Sequence, residues 1–270
     1  MIVIDLPEDQ EDLYCHCLEE WSDEMREAGD LKRAWFVRMK DRGLRVKVAM
    51  DEQGVIGGMI HYGPIENVPV QGIGLYYVYC IWVHGYRQGR GNFQGKGMGT
   101  ALLAAAEEDA RQRGAGGLVA WGLALPVFMR AAWFRRHGYV EVDRNGAMRL
   151  LWKRFHEDSA APSWMKSDRK PKLVDGKVVV TSVVNGWCPA GNLVHERARR
   201  AAAAAGPNVL FHTVDAFERN VGLEWGTNGA LFVDDKPVRT GPPPSYEKLR
   251  AMIARRARHP RHPKPVAPST

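Results

Sequence analysis

Between residues 76 and 113 the chain passes from an apolar run, Tyr76-Tyr77-Val78-Tyr79-Cys80-Ile81-Trp82-Val83, through a glycine-rich loop closing on Gln94-Gly95-Lys96-Gly97-Met98-Gly99, into an alanine-rich segment. Met98, Leu102, Leu103, Ala106 and Ala110 recur at helical spacing, Gly114 ends the helix, and Leu118-Val119-Ala120-Trp121 reads as the next buried strand. Glycines at 95, 97 and 99 let the backbone turn tightly and approach an anion. The start of the helix aims unpaired N–H groups and the positive end of its dipole at the same place. A pyrophosphate fits such a site. A Walker A loop needs Ser or Thr after the lysine, and Lys96 is followed by Gly97. A dinucleotide fingerprint starting at Gly89-Arg90-Gly91 needs a third glycine at 94, which is Gln.

Around this unit the period of the apolar residues changes twice. Residues 8–23 and 31–42 read as two amphipathic helices, with Leu13, Cys17, Leu18 and Trp21 on the apolar side of the first. Leu44, Val46, Val48 and Met50 then alternate with polar or small residues, the turn Asp51-Glu52-Gln53-Gly54 follows, and residues 55–62 return as the second strand of a hairpin. Residues 64–74 read as a loop. Beyond Trp121, a helix is predicted over 126–136 and a hairpin on Asn145-Gly146 closes the unit near residue 155.

The spacing Gln94-x-x-Gly97-x-Gly99 between a strand and a helix resembles the pyrophosphate loop of the GNAT superfamily of acyl-CoA-dependent N-acetyltransferases. A second motif of that family, an aromatic residue followed after three spacers by Gly-Phe or Gly-Tyr, is filled by Phe134-Arg135-Arg136-His137-Gly138-Tyr139. The resemblance spans residues 1–155 and implies an α/β (α+β) fold, a mixed sheet flanked by helices. It implies acetyl-CoA as cosubstrate, with the pyrophosphate on Gln94, Gly95, Lys96, Gly97, Met98, Gly99 and Thr100. It further implies that Ile81, Trp82 and Val83 pair with the pantetheine arm and polarise the thioester carbonyl, and that Phe134 lies in the cosubstrate groove. Many family members carry a tyrosine at the Phe134 position as the acid for the leaving thiolate, so here water or another group such as Tyr139 or Tyr79 must serve. His84, at the end of the long strand, is the first choice for the base, because imidazole titrates near working pH. Glu66 and His61 are its rivals.

From residue 156 to 177 the chain is polar and prolyl and reads as a linker. Residues 178–258 then give strand, Trp187-Cys188-Pro189 turn, helix, strand, hairpin and helix. This order resembles a thioredoxin-like domain, and the whole chain resembles GNAT proteins with a YoaP-like C-terminal domain. Pro189-Ala190-Gly191 follows Cys188, so the second cysteine of a redox motif is missing from the turn. The proline expected before the hairpin strand is missing too. Cys188 itself, at a helix start, is a candidate reactive thiol.

Composition bounds what remains. The chain has 270 residues, 45% of them apolar, which suits two domains with good cores. No run of eighteen apolar residues occurs and the N-terminus lacks the pattern of a signal peptide, so a cytoplasmic, membrane-free protein is expected. Cys15, Cys17, Cys80 and Cys188 form no disulfide framework and no zinc pattern, and no metal is predicted. The net charge of +7 concentrates in a basic tail at residues 259–270 and the helix before it. Without interleaved aromatics that tail reads as a solvated end rather than a nucleic-acid grip. The expected activity is acetyl transfer from acetyl-CoA to an amine, the acceptor more a small molecule than a protein. The competing class is a non-catalytic protein that binds acyl-CoA, or a thiol or metal through its single cysteine. The sequence leaves the acceptor and the oligomeric state open.

Overall fold

The computed structural model of the chain describes residues 1–259, so the basic tail expected at 259–270 lies, from residue 260 on, outside the described residues. Strands β1 (Ile2–Asp5), β2 (Arg45–Met50), β3 (Ile56–Pro64), β4 (Val70–Gln71) and β5 (Tyr76–Val83) precede the glycine loop. After it come β6 (Gly117–Leu123), β7 (Val140–Asn145), β8 (Met148–Arg154) and β9 (Ser163–Trp164). Seven of them make one sheet in the order β1-β2-β3-β5-β6-β8-β7, in which only the β5–β6 pair is parallel, while β4 and β9 pair apart from it. This is the mixed sheet expected from the sequence, extended at one edge by β1. Helices α1 (Glu11–Cys15), α2 (Asp23–Glu27) and α3 (Leu31–Lys40) bring Leu13, Tyr14, Trp35 and Phe36 against one face, where Tyr77 and Tyr79 of β5 meet them. Helices α4 (Met98–Gln112) and α5 (Ala131–Arg136) cover the other face with Leu102, Leu103, Ala106 and Phe134 against Ile60 and Val78. The alternation of β5 side chains therefore feeds two cores, one for each layer.

Two departures from regularity shape the middle of the sheet. Val78 pairs with Tyr62 and Cys80 with His61, so β5 carries one extra residue, a β-bulge at Tyr79. The parallel pairing with β6 spans only Tyr76 to Val78, and beyond it the two strands separate. Trp121 stands in the widening space and donates its indole N–H to the Tyr79 carbonyl at 2.8 Å.

Several elements differ from the sequence reading. The helix expected over 8–23 is broken: α1 ends at Cys15, and Cys17 (φ 53°) and Leu18 (φ 63°) take the left-handed conformation before α2 begins. That conformation is uncommon outside glycine, and tertiary contacts hold it, since Leu18 is fully buried and Lys32 donates to the Cys17 sulfur. The helix expected over 126–136 shrinks to α5, because Leu123 N–H donates to Met129 O at 2.7 Å and folds residues 124–129 into a loop along β6. The segment 156–177 is not a free spacer. β9 pairs with β4, and Trp164 N–H donates to Asp143 at 2.8 Å.

The C-terminal unit has β10 (Val178–Val184), α6 (Pro189–Ala204), β11 (Val209–Asp215), α7 (Arg219–Trp225), β12 (Gly229–Val233), β13 (Lys236–Val238) and α8 (Tyr246–Ala257). Its sheet runs β11-β10-β12-β13, with β10 and β11 parallel and the other pairs antiparallel. Val178, Val180, Ala198, Ala201, Leu249 and Ile253 make its core. Pro189 suits the first turn of α6, where an N–H would have no partner.

This unit docks on the α1–α3 face of the first. Gly186 (φ 97°) lies so close to α3 that a Cβ there would fall 2.7 Å from Leu31 O. The Trp187 ring inserts beside Tyr79, at 4.8 Å between centroids, and beside Tyr77 and His61. Arg197 donates to Glu24 and Glu27, and the Phe217 ring lies under the guanidinium groups of Arg38 and Arg42.

Candidate active site

The glycine loop is built as the sequence suggests. Gly95 (φ 76°) and Gly97 (φ 83°) are both left-handed, and the space where their Cβ atoms would stand is open. Gly97 caps α4, whose first backbone bond runs from Ala101 N–H to Gly97 O at 3.0 Å. The N–H groups of Met98, Gly99 and Thr100 precede that bond and point out of the helix end. Met98 contributes only its backbone, since its side chain is buried in the core. The Gln94 side chain folds against Gly85, and the Lys96 ammonium stands 5.0 Å over the Phe93 ring, both exposed at the loop edge. Thr100 Oγ1 is 3.1 Å from His137 Nε2.

Gly99 joins three elements. A Cβ at this position would lie 3.5 Å from Trp133 and 3.7 Å from Val83, so the end of β5, the start of α4 and α5 converge there. Ile81, Trp82 and Val83 pair with β3 along one edge and face the separation from β6 along the other. Phe134 does not line this place. It is fully buried between Trp133 and Tyr139, at ring separations of 5.0 and 5.5 Å. The half-buried Trp133, one residue earlier, is the aromatic side chain beside Gly99, and helical periodicity about Phe134 is the signal that could have shown it.

His84 is fully buried with both ring nitrogens engaged. Nδ1 lies 2.7 Å from Gly91 O and Nε2 lies 3.2 Å from the indole nitrogen of Trp21. A carbonyl only accepts and an indole only donates, so the contacts fit the tautomer that carries its proton on Nδ1, with the Nε2 lone pair occupied. It fastens the loop after β5 instead of offering a base. Glu66 is displaced as well. Its carboxylate accepts from Gly74 N–H at 3.1 Å, next to Pro64, which pairs with Tyr76 at the first residue of β5. Trp82 is six residues along that strand, about 20 Å away at the usual rise of ~3.3 Å per residue. Tyr139 is sealed in the α4 core, where burial and then the Glu107 charge push its hydroxyl well above the ordinary range. Glu107 is nine residues beyond Met98, about 14 Å down the helix, so this hydroxyl is remote from the loop.

A carboxyl not singled out in the sequence has a shifted titration near this end of the strand. Burial and then the Glu24 charge push the Glu19 carboxyl up to about 6. It sits in the irregular stretch after Leu18, and its charge is felt by Tyr86, whose ring packs on Trp82, His84 and Trp21. Glu19 is two residues before Trp21, whose indole reaches His84 just past the end of β5 and packs on Gly89 of the following loop. His61, the other candidate, is buried, and burial followed by the Lys32 charge holds it neutral. Its Nδ1 is 3.0 Å from the Tyr14 hydroxyl.

A glycine-turned loop thus opens α4 beside a bulged strand that parts from its parallel neighbour. Residues 7–139 match the acetyltransferase (GNAT) family. That span, just under half of the chain, contains β5, the loop, α4 and α5. Among curated proteins no relative matches. The solved structures similar to this chain include a GNAT family acetyltransferase from Brucella melitensis in complex with acetyl-CoA. It is 19% identical over 58% of this chain and 89% of its own, with a TM-score of 0.38. Another is the Escherichia coli GNAT family N-acetyltransferase YhbS in complex with CoA, 15% identical over 58% of this chain and 82% of that one, TM-score 0.42. A third is the ribosomal-protein-alanine N-acetyltransferase of Brucella melitensis, 20% identical over 57% of this chain and all of its own length, TM-score 0.40. No helix among the described residues is long and apolar enough to cross a membrane.

Proposed function

We propose that the N-terminal unit transfers an acetyl group from acetyl-CoA to the amine of a small-molecule acceptor. The observation that carries this reading is the convergence at Gly99. There the outward N–H groups of α4 meet the open edge of β5 just past its bulge. The family match of residues 7–139 supports the same cosubstrate. The pyrophosphate rests on residues 94–100 through backbone N–H groups and the helix dipole. The pantetheine arm runs along the free edge of Ile81, Trp82 and Val83, where a backbone N–H polarises the thioester carbonyl as its oxygen gains charge.

The acceptor approaches from the α1–α3 face, and Glu19 removes the proton from its ammonium. The freed amine attacks the thioester carbon, and the tetrahedral intermediate expels the CoA thiolate. That thiolate takes its proton from solvent, because Phe134 has no hydroxyl and Tyr139 is remote. Most of the acceleration comes from holding amine and thioester together. The C-terminal unit, whose strand order and single parallel pair support a thioredoxin-like reading, narrows the acceptor face with Trp187, which favours a small acceptor.

The test is release of CoA thiol from acetyl-CoA across a panel of amines, with Gly99→Val in parallel. Amine-dependent release that the variant loses is the expected result. Acetyl-CoA binding without release for any amine would leave a binding protein, and no binding at all would remove the reading entirely.

A further inference from the structure

Three of the four cysteines meet where the two units join. Cys17 follows α1 and lies 3.0 Å from the Lys32 ammonium. Cys80 flanks the β5 bulge and faces His61 across the β3–β5 pair. Cys188 caps α6 in the docked unit, and its neighbours in sequence fix its place. Gly186 abuts Leu31, the residue before Lys32, and the Trp187 ring rests on Tyr79, the residue before Cys80. The thiols feel one another: burial raises Cys17, Lys32 lowers it and a charge on Cys188 raises it again, while burial and then charges on Cys17 and Cys188 raise Cys80. All three retain accessible surface, whereas Cys15, on the core side of α1, is buried.

The surroundings are unusual for a packed junction. Lys32 is buried with no carboxylate beside it, and its ammonium is held by Tyr14 O at 2.5 Å, the Tyr14 ring and the Cys17 sulfur. Burial holds the Cys17 thiol above its ordinary range, and the Lys32 ammonium in contact with its sulfur is the group that pulls it down, so the thiolate has a cation waiting when the proton leaves. His61 Nε2 and the Tyr79 hydroxyl are both buried without a partner, and both rings lie beside Trp187. Nothing in acetyl transfer uses these groups.

We propose that Cys17 and Cys188 form a disulfide-exchange site split between the two units, acting on low-molecular-weight disulfides. The Cys17 thiol gives up its proton beside Lys32 and attacks one sulfur of R–S–S–R, forming a mixed disulfide and releasing R–S⁻. Cys188 then attacks the Cys17 sulfur and expels the second R–S⁻. The two thiol protons end on the released thiolates, giving two R–SH. The small disulfide is reduced by two electrons and the protein is oxidised by two to Cys17–S–S–Cys188. The second cysteine that the Trp187-Cys188-Pro189 turn lacks is thus supplied by the loop after α1.

The experiment treats the full-length protein with oxidised glutathione, blocks remaining thiols with iodoacetamide, and maps peptides by mass spectrometry without reduction. The expected product joins the Cys17 and Cys188 peptides, with Cys15 alkylated and two glutathione thiols released per protein. Cys188→Ser should stop at glutathione on Cys17, and Cys17→Ser should leave no cross-link, while Cys15→Ser behaves as the unsubstituted chain. A Cys17–Cys80 bond, a lasting mixed disulfide on the unsubstituted protein, or four alkylated thiols would each overturn the proposal. Because the readout is covalent, it stands whether or not acetyl transfer is found.

Discussion

The indole nitrogen of Trp21 lies 3.2 Å from Nε2 of His84, and this contact, between residues 63 apart in sequence, ties the irregular stretch after α1 to the loop after β5. It leaves Glu19, with its carboxyl raised to about 6, as the group that titrates near working pH on the acceptor face.

A base must be ionised to work, so kcat/KM for acetyl transfer should rise as pH increases through about 6, following Glu19. Glu19→Gln should remove that limb and slow the reaction by about 100-fold, within the usual range for general-base catalysis, while acetyl-CoA still binds. The pH profile of the variant is the check. A limb that persists near 6 in Glu19→Gln would assign the base elsewhere.

Gly97 and Gly99 should respond differently to substitution. Gly97 has φ 83°, so any side chain strains the cap whatever the space around it, whereas Gly99 is helical with ordinary contact distances to Trp133 and Val83. Gly99→Ala should fold normally, and Gly99→Val should push a branched side chain into the approach of the pyrophosphate. Calorimetric titration with CoA should show at least tenfold weaker binding for Gly99→Val. Unchanged affinity would reduce the loop to a turn.

What was legible in the sequence was local. Glycines with positive φ and apolar residues at helical spacing placed β5, the loop and α4 almost to the residue, because backbone sterics and periodicity act over a few positions. The break at Cys17 and Leu18 was not legible, since it depends on Lys32 and on Leu18 entering the core. Glu19 was hidden for a similar reason: burial and Glu24 raise its carboxyl only after the chain has folded back over Tyr86. His84 looked like a base until its two partners, Trp21 and Gly91, were in place. The linker reading weighed polarity and proline and missed the β4–β9 pair, which needs only two residues from each strand.

Phe134 is enclosed by Trp133 and Tyr139, so a hydroxyl added there meets an apolar core. Phe134→Tyr should lower stability by about 1–3 kcal/mol, the cost of an unsatisfied buried polar group, and leave turnover per folded molecule unchanged. Thermal denaturation with active-site titration separates the two effects. A faster variant of unchanged stability would show that this side chain reaches the thioester after all.

Docking of the two units rests in part on Arg197, whose side chain is only 10% exposed. It donates to Glu27 at 2.8 and 3.0 Å, to Glu24 at 2.9 Å and to Pro244 O at 3.2 Å. Glu24 is 61% exposed, so solvent screens most of its share, and the weight falls on Glu27, which is 26% exposed and also held by Arg200. Arg197→Ala should therefore cost about 1–3 kcal/mol, less than the loss of a fully buried pair. In scanning calorimetry that is a fall in Tm of roughly 2–10 °C for a chain of this size. Glu27→Ala should also destabilise, but the double variant should lose at least about 0.5 kcal/mol less than the sum of the two single losses, the mark of residues that act through one contact. Strict additivity would mean that Trp187, Gly186 and Phe217 hold the units together without this ion pair.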